Sequence, residues 1–249
     1  MRCVSNSEEL HIEVNDETLL LDKSGAAVWP AEKTLVFADL HFEKGSAYAK
    51  RGALLPPYDT RSTIRRMAEV IARHAPKRVI ALGDSFHDGE AADRLDPEER
   101  EMLARLAAGA EWIWVEGNHD PKPPAWIGGR VAAEIALGGL VFRHVPGGGG
   151  AQKGEVAGHL HPATRVKRNG MSGRRRCFVS DGARLLLPAF GAYAGGLDVR
   201  DDAIASLFAD GFAVYALGRE RVYMVHMPRR KKSDEIQPSS AAIRTVKRP

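Results

Sequence analysis

Three short apolar runs in the first half of the chain predict buried strands. They are TLVFA at Thr34–Ala38, RVIAL at Arg78–Leu82 and EWIWV at Glu111–Val115, and each is five residues long. A run of that length, bounded by polar residues, is typical of a strand that is covered on both faces of a sheet. The three runs therefore predict neighbouring strands of one sheet.

Amphipathic segments separate these strands and predict two helices. Apolar residues recur at helical spacing over Asp59–His74, where Asp59 or Thr60 is expected to cap the N-terminus. A second helix is expected over Pro97–Ala108, because Asp96 can cap it and proline is favoured at the first helical position. Strands that alternate with helices predict a parallel sheet with helical cover.

The pattern changes after Asp120, where strand-like segments follow one another with few helices between them. These segments are Val131–Ile135, Leu140–His144, Glu155–Ala157, Cys177–Val179, Leu185–Leu187, Phe212–Ala216 and Val222–Val225. The best helical candidate in this half is Asp201–Ala209, and Leu10–Asp22 near the N-terminus has the alternation of a hairpin. We therefore predict a second, largely antiparallel sheet that faces the first.

Composition and length favour one large globular domain over two small ones. The chain has 249 residues, of which 44% are hydrophobic, enough for a sizeable core. Its two cysteines, Cys3 and Cys177, are too few for a disulfide scaffold and favour free thiols in a reducing compartment. The N-terminus lacks the apolar core of a signal peptide, and no stretch approaches the roughly 18 apolar residues of a membrane helix. We therefore expect a soluble, cytoplasmic protein without a membrane partner.

The net charge of +4 is concentrated at the C-terminus. Residues 228–249 contain seven basic and two acidic residues, a net charge of +5, which leaves −1 for residues 1–227. The same tail contains serine and proline and few apolar residues, a composition typical of disorder. We expect one folded domain over residues 1–227 and a basic, disordered tail over residues 228–249.

Five polar clusters occur in a definite order and carry the candidate chemistry. Each follows an apolar segment and supplies carboxylate, amide or imidazole groups. The clusters are Asp39-Leu40-His41, Gly83-Asp84, Gly117-Asn118-His119-Asp120, the single His144, and Gly158-His159-Leu160-His161. The first three follow predicted parallel strands, whose carboxyl ends form the ligand-binding edge of an open α/β sheet. Together the groups are numerous enough to bind two divalent metals, a device suited to in-line displacement at phosphorus.

Spacing within two of the clusters predicts how they bind. Residues i and i+2 of an extended chain lie on the same side, so Asp39 with His41, and His159 with His161, are each expected to bind one ion. Taken singly, an aspartate after a strand is often a turn residue, and a lone histidine such as His144 is often structural. Two histidines on one face of an extended segment suit chelation better than core packing. The joint order of all five clusters therefore favours a dinuclear metal site.

A basic run follows the last cluster directly. Residues 165–176 contain six basic residues and no acidic one. Such a run predicts either a solvated hairpin or, because it lies next to the candidate ligands, contacts with substrate phosphates. The residues expected to contact substrate are Arg165, Lys167 and Arg168.

The five clusters resemble the motif series D-x-H, GD, GNH[DE], H and GHxH of the calcineurin-like metallophosphoesterase superfamily, over Thr34–His161. Flanking segments such as ADLHFEKGS, LGDSFHD and LPAFGAYAGG extend the resemblance over about residues 19–227, to the bacterial ligase-associated DNA damage response phosphoesterases. The superfamily implies an α/β fold, a four-layer αββα sandwich of two mixed sheets flanked by helices, and is compatible with a homodimer. The subfamily implies an ATP-dependent DNA ligase, a helicase and a nuclease of the same system as partners.

The resemblance also implies a role for each candidate residue. One metal ion would be held by Asp39, His41 and His161, and the other by Asn118, His144 and His159. Asp84 would bridge the two ions. His119 would lie beside the ions and donate a proton to the leaving oxygen. The resemblance favours manganese as the ion, and the mixture of carboxylate, amide and imidazole ligands also suits iron or zinc.

One position departs from the phosphatase branch of the superfamily. Where that branch has an aspartate that orients the catalytic histidine, this chain has His87, followed by Asp88. The segment GDSFH instead resembles the nuclease subunit of double-strand-break repair complexes, which favours a phosphodiester substrate. His87 and Asp120 are therefore further catalytic candidates, and Asp88 and Asp120 are the two candidates to orient His119.

The leading interpretation is a metal-dependent phosphodiesterase or nuclease that acts on nucleic acid in DNA repair beside a ligase. One alternative is a phosphodiesterase or pyrophosphatase for small nucleotides. Another is a scaffold subunit of a repair complex. The complete ligand set argues against a scaffold without catalysis, because an interaction module does not need seven metal ligands.

Overall fold

The computed structural model describes residues 9–53, 55–120, 123–148, 153–168 and 170–225. Seven strands in sequential order form the first sheet: β1 (Leu10–Val14), β2 (Glu17–Leu21), β3 (Ala27–Trp29), β4 (Thr34–Ala38), β5 (Arg78–Leu82), β6 (Glu111–Val115) and β7 (Arg130–Ala132). Neighbours from β1 to β4 are antiparallel, and neighbours from β4 to β7 are parallel. The three predicted apolar strands and the N-terminal hairpin are confirmed, and β4, β5 and β6 are the central parallel strands of the sheet.

Helices cover the outer face of this sheet. They are α1 (Lys44–Lys50), α2 (Asp59–His74), α3 (Ala91–Arg94) and α4 (Pro97–Ala108). The bounds of α2 and α4 are those predicted, and the side chain of Asp96 caps α4 by accepting a hydrogen bond from the Glu98 amide at 2.9 Å. The predicted cap of α2 is wrong, because the N-cap residue is Tyr58. The Asp59 carboxylate accepts a hydrogen bond from the Gly45 amide at 2.9 Å instead, and so joins α2 to α1.

Eight strands form the second sheet: β8 (Glu134–Leu137), β9 (Leu140–Arg143), β10 (Glu155–Ala157), β11 (Ala163–Arg168), β12 (Met171–Ser180), β13 (Arg184–Leu186), β14 (Ala213–Leu217) and β15 (Val222–Val225). Their spatial order is β15-β14-β12-β13-β10-β9-β8, and β11 pairs only with the N-terminal part of β12. The β10 strand is parallel to both β9 and β13, whereas the other pairs are antiparallel. The sheet is thus mixed, with the antiparallel majority that the sequence predicts.

Two predicted segments differ most from the observed elements, and Cys177–Val179 is only a part of the longer strand β12. The segment Val131–Ile135, predicted as one strand, is divided between β7 of the first sheet and β8 of the second. The chain passes from one sheet to the other at Ala133, and local alternation does not encode such a crossing. The helix predicted over Asp201–Ala209 is reduced to α5 (Asp202–Ala205), whose cap is the Asp201 side chain.

The two sheets pack face to face and place an apolar layer between them. Val36, Ile80 and Ile113 of the first sheet belong to the same buried cluster as Phe142 and Phe178 of the second. A second cluster joins the helices to the outer face of the first sheet, and a third joins Val199, Ile204 and Phe208 to the outer face of the second. This layering is the αββα sandwich that was predicted, with a thin outermost layer formed by α5 and its flanking segments.

Within the described ranges, no helix combines the length and the hydropathy needed to cross a bilayer. Cys177 is a free, buried thiol. The predicted tail over residues 228–249 lies outside the described residues, as does Cys3.

Candidate metal centre

Five polar loops meet at one edge of the sandwich. Three follow the parallel strands β4, β5 and β6, and two follow the parallel strands β9 and β10. Parallel strands end at the same edge of a sheet, so this arrangement gathers all five sequence clusters. The expectation that the clusters lie at the carboxyl edge is confirmed.

Asp39, His41 and His161 form the first group of potential ligands. Their ligand atoms all lie within 4.8 Å of one another. The Nε2 atoms of His41 and His161 are 3.3 Å apart, and Nε2 of His161 is 3.2 Å from Oδ1 of Asp39. Two ring nitrogens and a carboxylate that converge in this way offer lone pairs to a cation.

Asp84, His144 and His159 form the second group, and their ligand atoms also lie within 4.8 Å of one another. Nε2 of His144 is 3.2 Å from Nδ1 of His159 and 2.8 Å from Oδ1 of Asn118. Nδ1 of His144 lies 2.9 Å from the Leu82 carbonyl and donates to it, which leaves Nε2 as the ligand atom. A histidine held by a backbone carbonyl in this way is typical of metal sites.

Asp84, a member of the second group, also faces the first group. Its Oδ1 is 3.3 Å from Nε2 of His144, and its Oδ2 is 4.0 Å from Nε2 of His41. Each carboxylate oxygen thus faces one group, which is the position that a bridging ligand needs. The carboxylate is nearly inaccessible to solvent, with 3% of the side chain exposed.

The backbone of these loops is unusual. Positive φ angles occur at Asp39 (53°), His41 (46°), Asp84 (45°), His159 (68°) and His161 (46°). For residues with a β-carbon each such conformation costs of order 1–3 kcal/mol, and clusters of them are typical of functional sites. The expectation of an extended chain is therefore wrong here, and it misassigns one pair: His159 and His161 face different ligand groups. Asp39 and His41 do share a group.

Glycines in the motifs allow the loops to approach one another. A β-carbon on Gly117 would lie 2.1 Å from the Asp84 amide nitrogen, and one on Gly158 would lie 2.7 Å from Oδ2 of Asp39. Separations under 3.0 Å are sterically impossible without movement of the backbone or of the ligand side chain. The glycines that precede Asn118 and His159 are therefore required by close packing of one loop on another.

His119 lies beside the ligand groups without belonging to either. Its backbone amide donates to Oδ1 of Asp84 at 2.9 Å, and its Nε2 is 3.8 Å from Oδ2 of the same carboxylate. Nδ1 of His119 is 2.9 Å from the carbonyl of His87 and donates to it. The ring is 43% exposed, so Nε2 is accessible from the open side of the centre.

The predicted orienting carboxylates have other partners. Asp88 forms an ion pair with Arg94 at 2.8 Å. Asp120 accepts a hydrogen bond from the Phe86 amide at 2.9 Å and so ties the third motif to the second. The prediction that Asp88 or Asp120 orients His119 is therefore wrong, because a backbone carbonyl takes that place.

The ring of His87 lies between two other rings. It is stacked on His119, with centroids 5.4 Å apart and planes at 17°, and it lies 6.2 Å from the ring of Tyr48. Burial lowers the pKa of His87 to about 4, so this ring is neutral at neutral pH. Tyr48 was not singled out from the sequence, because α1, which carries it, was not predicted.

Most protonation states in the two groups suit cation binding. His144 is the exception: burial alone would lower its pKa, but the hydrogen bond with Asp84 and the charges of Asp39 and Asp84 outweigh burial and raise it. Burial, reinforced by the neighbouring His161, lowers the pKa of His41 to about 2, which leaves the imidazole neutral. Burial also lowers the pKa of His159. Burial alone would raise the pKa of Asp84, but the hydrogen bond and charge of His144, the His119 amide and the charge of His41 together outweigh burial and lower it, so the carboxylate stays charged. Neutral imidazoles and charged carboxylates are the forms that bind divalent metals.

Lys44, at the start of α1, adds a positive charge near both groups and was not identified from the sequence. Burial and the charge of Arg176 lower its pKa, and the carboxylates of Asp39 and Asp84 act in the opposite direction. The signal was present in the segment ADLHFEKGS, but only the fold shows that this lysine approaches the carboxylates. A cation in this position is suited to attract a phosphate group.

The basic run has divided roles. Arg165 and Lys167 are exposed on β11, whereas the side chain of Arg168 lies outside the described residues. The guanidinium of Arg176 donates to the carbonyls of Ala189 at 3.0 Å and Gly191 at 2.7 Å, and to three more in the same loop. Arg176 therefore stabilises the loop and is not free to bind substrate.

Comparison with known proteins finds one family and two similar solved structures. The family model described as calcineurin-like phosphoesterase matches residues 32–181. Among solved structures, the chain is similar to nuclease MPE of Pseudomonas putida, at 29% identity and a TM-score of 0.68, over 87% of this chain and 100% of that one. It is also similar to Yfce, a phosphoesterase from E. coli, at 14% identity and a TM-score of 0.39, over 77% of this chain and 97% of that one. No curated protein sequence matches the chain.

Proposed function

Because the chain belongs to the calcineurin-like phosphoesterase family, whose members are metal-dependent hydrolases of phosphoesters, we propose that its substrate is the phosphodiester backbone of nucleic acid. The observation that supports this most directly is the position of Asp84. One of its oxygens faces each ligand group, and the exposed ring of His119 lies on its open side. This arrangement suits displacement at a phosphorus atom between two cations.

The residues of the two groups fit a pair of divalent ions. One ion would be held by Asp39, His41 and His161, and the other by Asn118, His144 and His159. Asp84 would bridge the two ions. The oxygen and imidazole donors suit manganese, and equally iron or zinc, and we propose manganese. When bound, such a pair of ions supplies an activated water and neutralises charge on the phosphoryl oxygens.

His119 is the proposed general acid. Its Nδ1 proton is engaged by the His87 carbonyl, so Nε2 is the atom that faces Asp84 and the substrate side. A proton on Nε2 can pass to the leaving oxygen as the bond to phosphorus breaks. Such a proton transfer typically contributes about 10²–10⁴ in rate. His87 and Asp120 then act as positioning residues, the first through its carbonyl and the second through the Phe86 amide.

The surroundings of His119 support a substrate that carries a nucleoside group. The ring beside it is the neutral His87, and Tyr48, 38% exposed, continues the aromatic surface outward. Aromatic rings of this kind accept a nucleoside group readily. The Pseudomonas putida relative, aligned over its entire length, is a nuclease, which supports nucleic acid as the substrate.

A role in DNA repair is the finer part of the proposal. Its support is the resemblance of the segments flanking the motifs to the ligase-associated phosphoesterases. On this proposal the enzyme trims or cuts DNA phosphodiesters before a ligase seals the strand, and the ligase system supplies its partners.

The test compares hydrolysis of bis-p-nitrophenyl phosphate with that of p-nitrophenyl phosphate in the presence of manganese. The wild type is expected to cleave the diester, and His119→Ala to lose that activity. His11→Ala is the matched control, because His11 is an exposed histidine on β1, outside the centre. Turnover of the monoester alone would contradict a nuclease. Bound metal without any hydrolysis would favour the scaffold alternative.

A further inference from the structure

The hairpin formed by β11 and β12 extends beyond the second sheet. Residues 177–180 of β12 pair with β14, whereas residues 171–176 pair only with β11. The hairpin begins two residues after His161, a member of the first ligand group. A basic arm thus leads outward from the candidate centre.

Strand pairing separates the basic residues onto two faces. Arg165 is paired with Arg174, and Lys167 with Ser172, so these side chains lie on one face. Thr164 is paired with Arg175, which places Arg175 on the opposite face. We name the face that carries Arg165, Lys167 and Arg174 the basic face.

The basic face is directed toward the candidate centre. Arg174 donates a hydrogen bond to the carbonyl of Gly196, and Arg176, in register on the same face, binds the carbonyls of residues 189–194. In that loop the Gly191 amide donates to the backbone carbonyl of Asp39 at 3.1 Å. The opposite face instead contributes Val166 to the apolar cluster on the outer side of the second sheet.

The charges on the basic face lack compensation. Residues 163–176 include no acidic residue. Within the described part of the chain, neither Arg165 nor Lys167 forms an ion pair or a side-chain hydrogen bond. Arg165 lies directly opposite Arg174, and like charges in that position repel each other. A polyanion bound to this face would relieve the repulsion.

We infer that the basic face of the hairpin holds the phosphate backbone of nucleic acid on its path to the metal centre. The inference rests on the proposed function and deepens it, because it names the surface that holds the polymer outside the reacting diester. Among its described residues the face carries no aromatic or amide side chain, and on this inference its charged groups contact the backbone and not the bases, so that recognition is independent of sequence. Each lysine or arginine contributes through its charge, with displacement of a counterion from the nucleic acid.

The experiment measures binding without hydrolysis. Anisotropy of a fluorescein-labelled 30-nucleotide DNA, single-stranded and duplex, is recorded with EDTA over a series of salt concentrations. Arg165→Ala and Lys167→Ala are expected to weaken binding several-fold and to reduce the slope of log K against log salt by roughly 0.7–0.9 each. Arg175→Ala removes the same charge from the opposite face and is expected to leave affinity nearly unchanged. Arg165→Lys, which keeps the charge, is expected to retain binding.

Three results would overturn the inference. They are equal losses for Arg165→Ala and Arg175→Ala, no loss for Arg165→Ala or Lys167→Ala, and binding to vesicles containing phosphatidylserine while the DNA remains unbound. The outcome is independent of the diester assay. Binding through the basic face in a protein that hydrolyses no diester would retain the inference and reject the proposed function, and hydrolysis without such binding would do the reverse.

Discussion

The backbone amide of His119 donates a 2.9 Å hydrogen bond to Oδ1 of Asp84, and Nε2 of His119 stands 3.8 Å from the other oxygen of that carboxylate. One aspartate therefore holds the backbone of the proposed acid while its oxygens face both ligand groups. The ring itself is oriented from its other nitrogen by the carbonyl of His87. The proposed proton donor and both ligand groups thus meet at the side chain of Asp84. Because His119 belongs to neither ligand group, proton donation and metal binding can be tested separately.

His119→Ala is expected to reduce turnover of a phosphodiester by about 10²–10⁴, because the general acid is removed. Manganese content, measured by elemental analysis of the purified protein, should stay near the wild-type value, because His119 belongs to neither ligand group. A substantial loss of metal in this variant would instead make His119 a ligand.

His159→Ala is expected to lower metal occupancy, because it removes a ligand atom from the second group. A ligand present at 100 times its dissociation constant stabilises a protein by about 2.7 kcal/mol, so the wild type should melt at a higher temperature with manganese than with EDTA. The variant should show a smaller difference, whereas the control His11→Ala should match the wild type. If manganese raised the melting temperature of His159→Ala as much as that of the wild type, His159 would not be a metal ligand.

Gly117→Ala is expected to disrupt the centre, because the added β-carbon would lie 2.1 Å from the Asp84 amide nitrogen. The loops must separate, so both the melting temperature and manganese occupancy should fall. Gly89→Ala is the matched control, since a β-carbon at Gly89 has no neighbour within 4 Å among the described residues. Equal melting temperatures and equal manganese occupancies of the two variants would show that the loop after β6 tolerates a side chain at position 117.

Arg176→Lys is expected to destabilise the protein by roughly 2–4 kcal/mol, because an ammonium cannot satisfy the five carbonyls that the guanidinium contacts. Burial lowers the pKa of Arg176 to about 10, so the guanidinium remains charged at neutral pH. Urea unfolding at pH 7 measures the change. Arg175→Lys, at an exposed position, should change stability by less than about 0.5 kcal/mol.

Asp22→Asn is expected to lower stability at pH 7 by at most about 2 kcal/mol. Burial would raise the pKa of Asp22, but hydrogen bonds from His74, Ser24 and Arg73 outweigh it and lower the pKa to about 2 from 3.8. Because the folded pKa is depressed, the stabilisation is complete above about pH 4 and is lost as the pH falls toward 2. The difference between wild type and variant in the free energy of unfolding, measured with urea, should therefore decrease by about half between pH 7 and pH 3. A difference that is constant with pH would contradict the shift.

Local pattern was sufficient for the central elements. The apolar runs at Thr34–Ala38 and Arg78–Leu82 and the amphipathic segment Asp59–His74 have the predicted bounds. Burial on both faces of a strand leaves a continuous apolar run in the sequence, and a single buried stripe leaves a helical period. Val131–Ile135 failed because the chain changes sheets within it, and helix α1 was missed because it has only seven residues.

The sequence by itself determined which groups are candidates for the chemistry, since metal ligands must be particular residue types and here they follow strand ends. The tertiary structure turns the last loop so that His159 and His161 face different ligand groups, as the family resemblance implied and the extended spacing did not. Only the tertiary structure decided that a backbone carbonyl rather than Asp88 or Asp120 orients His119. It also separated Arg165 from Arg175 and assigned Arg176 to a loop. The physical reason is that the partner of each side chain depends on two things: the direction of the backbone at residues with left-handed conformations, and contacts between loops more than 30 residues apart in the sequence. Spacing along the chain predicts neither of them.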